Sequence, residues 1–503
     1  MQEKVKSEHL FVFPFSWKDQ SKKGDVLFHQ HTQIQHKKFE TLGHWKTHIS
    51  TVESDKDYNE YVYFYRPIRM ALYTVQSQSF IVRNYEYGHL TPESYFEIEI
   101  KGKTYHLGIK QIDLKLYKTG IGLLCFRMVN TEYEEVESIK AINSFSTCIY
   151  PPVLPIEKAK EMGMPTRIHF YINEKIDFID DFKRRDYKEY LIISPLIMQV
   201  LGWPFTGEPH KFARYPFLVE PILGSQMFCS CMYYNQQLVE KLYRGDEEIG
   251  IVSKLMTVNK HSHALAELDK LEGKEESQYL KCEEHIYGIN RYMLLCITKE
   301  EIHDRLYDQL VKLALMQRAT LLNLSAELAR ISTLPKSELP SAISSIYEIY
   351  IQFINQLYFK EVTEDSEGTY IYEQLSRAFK IAEELEQLNF EIDEVHEYAN
   401  LVEQSTSNIK VQLLTIIGAA LVIPSFVTGF FGMNIFQQEA RHWWDNMAVG
   451  LWLNSYVLLP ILAVIALCLW TRKRSIIVRI FKVIFSILLL ISLSFILKYG
   501  CGL

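Results

Sequence analysis

The residues with the clearest chemical potential end a long uncharged run near the C-terminus. Residues 411–433 carry no charged side chain, and Gly432, Met433 and Asn434 close the run. The amide oxygen of Asn434 can accept hydrogen bonds from the water shell of a divalent cation, whereas a carboxylate would release the ion too slowly. A ring of Asn434 side chains around a symmetry axis would therefore admit a hydrated ion. Gly and Asn also end ordinary helices, so their position after an apolar run is what favours an ion site.

A stripe of small or weakly polar side chains runs along the same segment. It consists of residues spaced by seven on two adjoining faces, namely Gly418, Ser425 and Gly432, and beside them Thr415, Val422 and Gly429. Small residues allow membrane helices to pack closely, so the stripe predicts a helix–helix seam. Helices that line a pore must also pack closely around an axis, and the two interpretations are compatible.

Two apolar segments must position these residues. Residues 411–433 and 447–470 are uncharged and longer than the roughly 20 residues needed to cross a bilayer. The loop between them has no Lys and residues 472–474 are basic, so the positive-inside rule predicts a cytoplasmic N-terminal part and an outer loop. Residues 483–499 predict a third span, which we favour, or an interfacial helix. We expect a multi-pass protein of the plasma or inner cell membrane.

A long helix is expected to lead into the first span. From Tyr370 onwards, apolar residues recur every three or four positions without Pro or Gly, up to the apolar run at 411. A helix of about 60 residues would span roughly 90 Å, with 370–410 as a stalk outside the membrane. Residues 361–403 hold thirteen acidic and two basic side chains. This imbalance predicts a strongly negative surface that divalent ions could screen.

Residues 1–300 predict a cytoplasmic α/β domain, followed by a helical region at 301–369. Strand patterns occur at 61–65, 80–85, 95–100, 103–110, 112–118, 122–129, 168–172, 227–234 and 286–297, with a hairpin at Thr119 and Gly120. Helices are expected at 134–146, 301–332 and 341–360. The predicted fold is thus this α/β domain, the stalk at 370–410, a pore domain with two transmembrane helices at 411–474, and a third hydrophobic helix within 475–503.

Composition excludes several classes of function. The net charge of −7 argues against a nucleic-acid binder. The eight scattered cysteines predict buried thiols, and Cys229 with Cys231 is a weak zinc signal. Histidines with metal-like spacing fall in polar stretches where solvated side chains are expected, at positions 29, 31, 36, 261 and 263. No phosphate-binding glycine loop, nucleophile elbow or zinc-protease motif occurs, so we expect neither an enzyme nor a bound cofactor.

The triplet Gly432, Met433 and Asn434, at the outer end of the first of two C-terminal spans, resembles the motif of the CorA family of Mg²⁺ channels. Similarity extends through 413–417 and 426–429, and the layout agrees over about 370–474. The resemblance implies a homo-oligomer, which we expect to be a pentamer, that moves hydrated Mg²⁺, or Co²⁺ or Ni²⁺, past a filter of these three residues. It places towards the pore Leu414, Gly418, Val422, Ser425 and Gly429, with Leu414 and Val422 as hydrophobic constrictions.

The resemblance also implies regulation by cytoplasmic Mg²⁺ at acidic subunit interfaces. The candidate stalk residues are Glu383, Glu384, Glu386, Glu391, Asp393, Glu394 and Glu397, and Glu439 in the outer loop is a candidate for attracting cations. Two departures leave ion selectivity open. Pro424 directly precedes Ser425, whereas the family commonly has its Pro two residues before a pore-facing hydroxyl. Residues 436–440 also lack the Met-Pro-Glu-Leu sequence of many members.

Two alternatives remain open. A Zn²⁺ transporter of the same superfamily would share the fold and a similar pore motif. A membrane-anchored cytoplasmic sensor or enzyme would use the spans only as a tether. The tethered protein predicts a monomer or dimer, whereas the channel predicts a pentamer.

Overall fold

A computed structural model describes most of the chain. The described residues are 4–19, 45–73, 81–149, 151, 153, 156–161, 163–173, 176–182, 194–202, 205–206, 217–224, 226–244, 249–257, 279–282, 284–299, 306–432, 447–463 and 476–500. The chain divides into two compact units, Met1–His396 and Glu397–Leu503. They are called unit 1 and unit 2 below.

Within the described residues, unit 1 contains one mixed sheet of fourteen strands. The strands are β1 (Ser7–Asp19), β2 (Trp45–Thr47), β3 (Val82–Tyr87), β4 (Tyr95–Ile100), β5 (Lys103–Tyr117), β6 (Ile121–Asn130), β7 (Arg167–Ile172), β8 (Ile176–Asp180), β9 (Phe205–Thr206), β10 (Phe217–Pro221), β11 (Phe228–Tyr234), β12 (Tyr279–Lys281), β13 (His285–Ile289) and β14 (Met293–Thr298). The main path runs β12-β13-β14-β11-β1-β6-β5-β4-β7-β8; β10 lies beside β1 and β9, and β3 joins β2 to β5. Pairing is antiparallel except at β11–β14 and β9–β10.

Strand β1 is central because both of its faces are apolar. Phe11, Phe13 and Phe15 on one face are fully buried, and so is Val12 on the other. The strand pairs with β6 along one edge and with β11 and β10 along the other. A strand covered on both faces and both edges gains the full stabilisation of apolar burial.

The predicted hairpin at Thr119 and Gly120 is confirmed, since it joins β5 to β6. Gly120 adopts a φ of +81°, which favours glycine. The Gly120 N–H donates to the carbonyl of Tyr117 at 3.0 Å, which closes the turn. The two strands then pair along most of their length, with one irregularity between Ile109 and Gln111.

Ten helices are described that lie wholly in unit 1. They are α1 (Asp55–Tyr63), α2 (Arg66–Leu72), α3 (Val136–Ser146), α4 (Ile156–Glu161), α5 (Pro195–Leu201), α6 (Gln236–Arg244), α7 (Ile249–Leu255), α8 (Leu306–Ser332), α9 (Leu339–Gln356) and α10 (Ser366–Ala378), and they are followed by α11 (Ile381–Gly432), whose bounds include the boundary between the units. Helix α8 is buried over most of its length, and it contacts α9, α10, β1 and β6. The helices predicted at 134–146, 301–332 and 341–360 correspond to α3, α8 and α9.

The strand predicted at 61–65 is wrong, because residues 55–63 form α1. Ser54 and Asp57 make a capping box, in which the Ser54 side chain accepts from the Asp57 N–H and the Asp57 carboxylate accepts from the Ser54 N–H. Two helix N-terminal donors are thereby satisfied. This local signal outweighs the strand propensity of the aromatic residues that follow.

The single strand predicted at 286–297 is instead a pair, β13 and β14. The Asn290 side chain accepts from the N–H groups of Tyr292 and Met293, both at 2.8 Å, and so holds a turn between them. Asn side chains favour such turns because they substitute for a backbone acceptor.

The uninterrupted helix predicted from Tyr370 is also corrected, since α10 ends at Ala378 and α11 begins at Ile381. Lys380 has a φ of +54°, outside the helical region. Phe379 is buried, with its ring 5.6 Å from that of Phe228 and 5.0 Å from the Arg318 guanidinium. Burying this aromatic side chain explains why the helix breaks without a Pro or Gly.

Unit 2 contains the remainder of α11 and a second group of helical segments. These are α12 (Met447–Leu453), a π-helical segment (Asn454–Leu458) and α13 (Ile476–Gly500). The hydrophobic segment predicted at 483–499 is therefore helical.

In the part of the chain that the structure describes, no helix has both the length and the apolar composition required to cross a membrane. The predicted spans at 411–433, 447–470 and 483–499 thus stay predictions.

Candidate functional site

The five residues predicted to face a pore all lie on α11 and are all exposed. Leu414 and Val422 are 71% and 62% exposed, and Gly418, Ser425 and Gly429 are also exposed. Their spacing of four, four, three and four residues places them on one face of the helix. Among the described residues of the chain, none forms a covering layer over this face.

Exposure on α11 is not confined to that face. Phe426 is 72% exposed, and Ile409, Val411, Ile416 and Leu421 are exposed as well. An apolar surface of this extent is unusual for a soluble monomer and is typical of contact with a bilayer or with partner chains. The segment thus has two kinds of surface, a small-residue face and bulky apolar faces.

Hydroxyl groups on this segment are satisfied within the helix. Thr415 Oγ1 donates to the carbonyl of Val411 at 2.9 Å, and Thr428 Oγ1 donates to that of Pro424 at 2.9 Å. Bonds of this kind allow hydroxyl side chains to lie in apolar surroundings.

Pro424 lies inside α11 and removes one helix donor. Because proline has no N–H, the carbonyl of Ala420, four residues earlier, does not receive the usual helical hydrogen bond from position 424. That carbonyl is close in sequence to Val422 and Ser425. It is the kind of backbone oxygen that can bind water or a cation on a helix lining a channel.

Most of the predicted filter lies outside the described residues. Gly432 is the last residue of α11. Met433, Asn434 and the outer-loop Glu439 fall within 433–446, which the structure does not describe. The histidines at 29, 31, 36, 261 and 263 also lie outside the described residues, in other segments. Their proposed roles rest on the sequence.

A buried polar contact joins the π-helical segment to α13. Asn454 Nδ2 donates to the carbonyl of Ser492 at 2.9 Å, and Ser492 Oγ donates to Asn454 Oδ1 at 2.8 Å. Both residues are buried. Sequence reasoning missed this pair, although an isolated Asn inside the apolar run at 447–470 was a usable signal, since polar groups in apolar segments normally find a partner.

The acidic residues predicted to sense cytoplasmic cations alternate with a buried face of α11. Leu388 and Ile392 are buried, whereas Glu383, Glu386, Asp393 and Glu394 are exposed, with Glu397 exposed in unit 2; Glu384 and Glu391 are half-buried. Among the described residues of this one chain, no three His, Cys, Asp or Glu side chains come together as a metal site.

Unit 1 fixes the start of α11 through aromatic and amide contacts from α9. Tyr350 Oη donates to Asn389 Oδ1 at 2.9 Å, and the rings of Tyr347 and His396 stack at 5.0 Å. Together with the buried Phe379, these contacts hold the first turns of α11 against the helical part of unit 1.

The predicted buried thiols are confirmed where the structure describes them. Cys125, Cys148, Cys229, Cys231 and Cys296 are free and buried, and Cys282 is half-buried. Burial raises the pKa of Cys125 to about 11 and that of Cys148 to about 12, so neither is a thiolate at neutral pH. The weak zinc signal at Cys229 and Cys231 finds no third ligand among the described residues.

Comparison with known families gives one match. Residues 283–469 match the family described as CorA-like Mg²⁺ transporter protein. This range begins near β13 and includes α8 to α11 and α12. The resemblance predicted from the sequence is thereby confirmed for the C-terminal part of the chain. No curated protein and no solved structure matches the chain.

Proposed function

We propose that the protein is a homo-oligomeric channel that carries hydrated divalent cations, Mg²⁺ foremost, across the plasma or inner cell membrane. The observation that carries the proposal is the match of residues 283–469 to the CorA-like Mg²⁺ transporter family. The uncharged runs at 411–433 and 447–470 would cross the bilayer, with unit 1 in the cytoplasm.

The surfaces of α11 support a pore at a subunit axis. A single chain leaves the small-residue face bare, and five copies around an axis would cover it while their bulky faces met lipid. Leu414 and Val422 would then narrow the pore as apolar constrictions, and Ser425 and the carbonyl of Ala420 would offer oxygens to the water shell of the ion.

The filter is proposed to be a ring of Asn434, with Gly432 and Met433 beside it and Glu439 drawing cations to the mouth. Mg²⁺ loses its water shell reluctantly, so neutral amide oxygens that bind those waters suit rapid passage. The exposed acidic residues of α11 would bind cytoplasmic Mg²⁺ between subunits and hold the pore closed, since their mutual repulsion needs a screening cation.

The test is Mg²⁺ flux into liposomes that contain the purified protein. We expect flux with the wild type at low internal Mg²⁺, loss of flux with Asn434→Ala, and retention with Gln437→Ala, which removes a neighbouring amide of the same loop. Native mass spectrometry should give a pentamer for all three. Undiminished flux with an intact Asn434→Ala pentamer would reject the filter.

A Zn²⁺ transporter of the same superfamily is the second candidate, because the departures at Pro424 and residues 436–440 leave ion selectivity open. It predicts Zn²⁺ flux without Mg²⁺ flux in the same liposomes. A mass of one or two chains with no flux of either ion would instead indicate a tethered sensor or enzyme.

A further inference from the structure

A polar pocket of about 260 Å³ lies within unit 1 and is lined only by unit 1 residues. Its floor comes from β3, β5, β6 and α8, and its rim from residues at 48–57 together with α1. The lining also includes Arg127 of β6, which pairs with Glu8 and Asp308, and the rim carboxylates of Glu53 and Asp57. The side chains that matter are Lys115 and Asp113 on β5, Lys312 and Gln309 on α8, and Glu60 on α1. We call it the Lys115–Lys312 pocket.

Two buried ammonium groups form its floor with few acceptors. Lys115 and Lys312 are only 5% and 3% exposed. Lys115 Nζ donates to the carbonyl of Leu72 at 2.8 Å. Lys312 Nζ forms an ion pair with Asp113 Oδ2 at 3.6 Å, a separation slightly longer than a hydrogen bond. Since each ammonium has three donors, most of these donors lack an acceptor among the described residues.

The carboxylates near these lysines are already engaged. Glu60 Oε1 accepts from Tyr73 Oη at 2.9 Å and from Gln309 Nε2 at 3.0 Å. Asp113 Oδ1 accepts from Gln111 Nε2 at 2.9 Å. Gln309 Oε1 is buried and has no partner among the described residues. The floor therefore combines surplus cationic donors with one unused neutral acceptor.

We propose that the Lys115–Lys312 pocket binds a small oxyanion, a phosphate or a hydroxycarboxylate, between the two ammonium groups. Buried donors without acceptors are costly, and an oxyanion supplies several acceptors and charge-assisted hydrogen bonds at once. A hydroxyl on the ligand would donate to Gln309 Oε1. The volume is below the 300–1,000 Å³ usual for ligand pockets, which restricts the ligand to a few heavy atoms beyond the anionic group.

The charge environment of Lys115 supports this site. Burial, and after it the neighbouring Lys312, lowers the pKa of Lys115 to about 8, against the opposing influence of Cys125, Asp113 and Glu60. These groups come from β5, α8, β6 and α1. The ammonium is also close to α2, whose Leu72 carbonyl accepts from it, and to β3, which pairs with β5 at Asn84. A bound anion would favour the protonated lysine, so its affinity should fall as the pH rises above about 8 and Lys115 loses its proton.

The test is isothermal titration calorimetry of the full-length protein in detergent with inorganic phosphate and, separately, with malate, against sodium chloride at equal ionic strength. We expect saturable binding of at least one of the two, with the preferred probe identifying the anionic group. Lys115→Met and Lys312→Met should weaken it about tenfold or more, as expected when a charge-assisted bond is lost. Lys110→Met is the matched control, because Lys110 lies on the same strand, pairs with Glu8 at 2.9 Å and does not line the pocket.

Absence of saturable binding by both probes would overturn the proposal, and so would equal affinities in the wild type and both pocket variants. Circular dichroism and gel filtration check that each variant folds. The wild type provides a second, variant-free measurement with malate, whose two carboxylates stay ionised throughout, since its affinity must fall between pH 7 and pH 9. A pH-independent affinity would contradict a site built on Lys115.

Discussion

The two units treat their apolar side chains in opposite ways. In unit 1 the aromatic residues of β1 and nearly the whole of α8 are covered by the same chain. In unit 2, which includes α11 from Glu397 onwards, large side chains such as Leu414, Val422 and Phe426 are exposed. The apolar side chains of unit 1 are therefore covered by residues of the same unit. Those of unit 2 require a surrounding medium or further copies of the chain to cover them.

The polar groups follow the same division. Unit 1 holds a buried chain of hydrogen bonds in which Asn130 Nδ2 donates to Ser7 Oγ at 2.8 Å, and Ser7 and Asn143 Oδ1 each lie 2.8 Å from a ring nitrogen of His9. Unit 2 has the Asn454–Ser492 pair. The contrast teaches that buried polar groups in unit 1 are joined in an extended hydrogen-bond network. In unit 2 the buried polar contact described joins two helical segments.

The largest expected effect on stability comes from comparing a Leu→Ala substitution in unit 1 with one in unit 2. Leu313→Ala on α8 removes a fully buried side chain, so it should lower the free energy of unfolding by about 2–5 kcal/mol. Leu414→Ala, at an exposed position, should leave that free energy nearly unchanged in detergent. Guanidinium titration followed by circular dichroism measures both. Equal losses would contradict the division between the units.

A smaller effect is expected from acid, through His9 in unit 1. Burial lowers its pKa from 6.5 to about 4, although the hydrogen bond to Asn143 raises it. Folding therefore favours neutral His9, and its contribution is complete above pH 6.5 and is lost as the pH falls towards 4. The loss from pH 6.5 to pH 5 should be about 2 kcal/mol.

Unfolding titrations at several pH values check this, with two variants as controls. His9→Gln keeps a donor and an acceptor without a titrating ring, so its stability should change less over this range. His48→Gln replaces an exposed histidine and should behave as the wild type does. An unchanged pH dependence in His9→Gln would show that another group is responsible.

The smallest effect is expected at the Asn454–Ser492 contact of unit 2. Asn454→Leu leaves the Ser492 hydroxyl without its acceptor, and it should destabilise the packing of the π-helical segment on α13 by about 1 kcal/mol. Ser455→Ala is the control, because among the described residues that hydroxyl donates to the carbonyl of Leu451 in the preceding α12, at 2.7 Å. Thermal unfolding in detergent should separate the two variants. Indistinguishable midpoints would mean that the contact adds nothing.

The sequence predicts regular elements well where one periodicity dominates. The β4 alternation, with Phe96 and Ile98 buried, and the apolar runs of β7 and β11 are found where they are predicted. Helices α8 and α9 follow in the same way from their helical spacing. These elements are determined by which residues they bury, and that information is local.

What sequence reasoning missed depends on contacts between distant residues. The break at Phe379 exists because Phe228 and Arg318, far away in the sequence, provide a place to bury the ring. Likewise, Lys115 and Lys312 form a pocket only because the sheet brings β5 against α8. On α11, by contrast, the pore residues were predicted from the resemblance to the CorA family. They lie on one exposed face, while Asn434 lies outside the described residues.

The position of β1 in the sheet has a consequence for how the chain is made. Its Ser7 pairs with Asn130 on one side and with Tyr233 on the other. At 5–20 residues per second, the ribosome needs roughly 10 to 50 s to pass from Ser7 to Tyr233. During that interval one edge of a very apolar strand has no partner, and such an edge is prone to aggregate. We therefore expect nascent unit 1 to be most prone to aggregation before β11 emerges, well before the apolar segment at 411 leaves the ribosome.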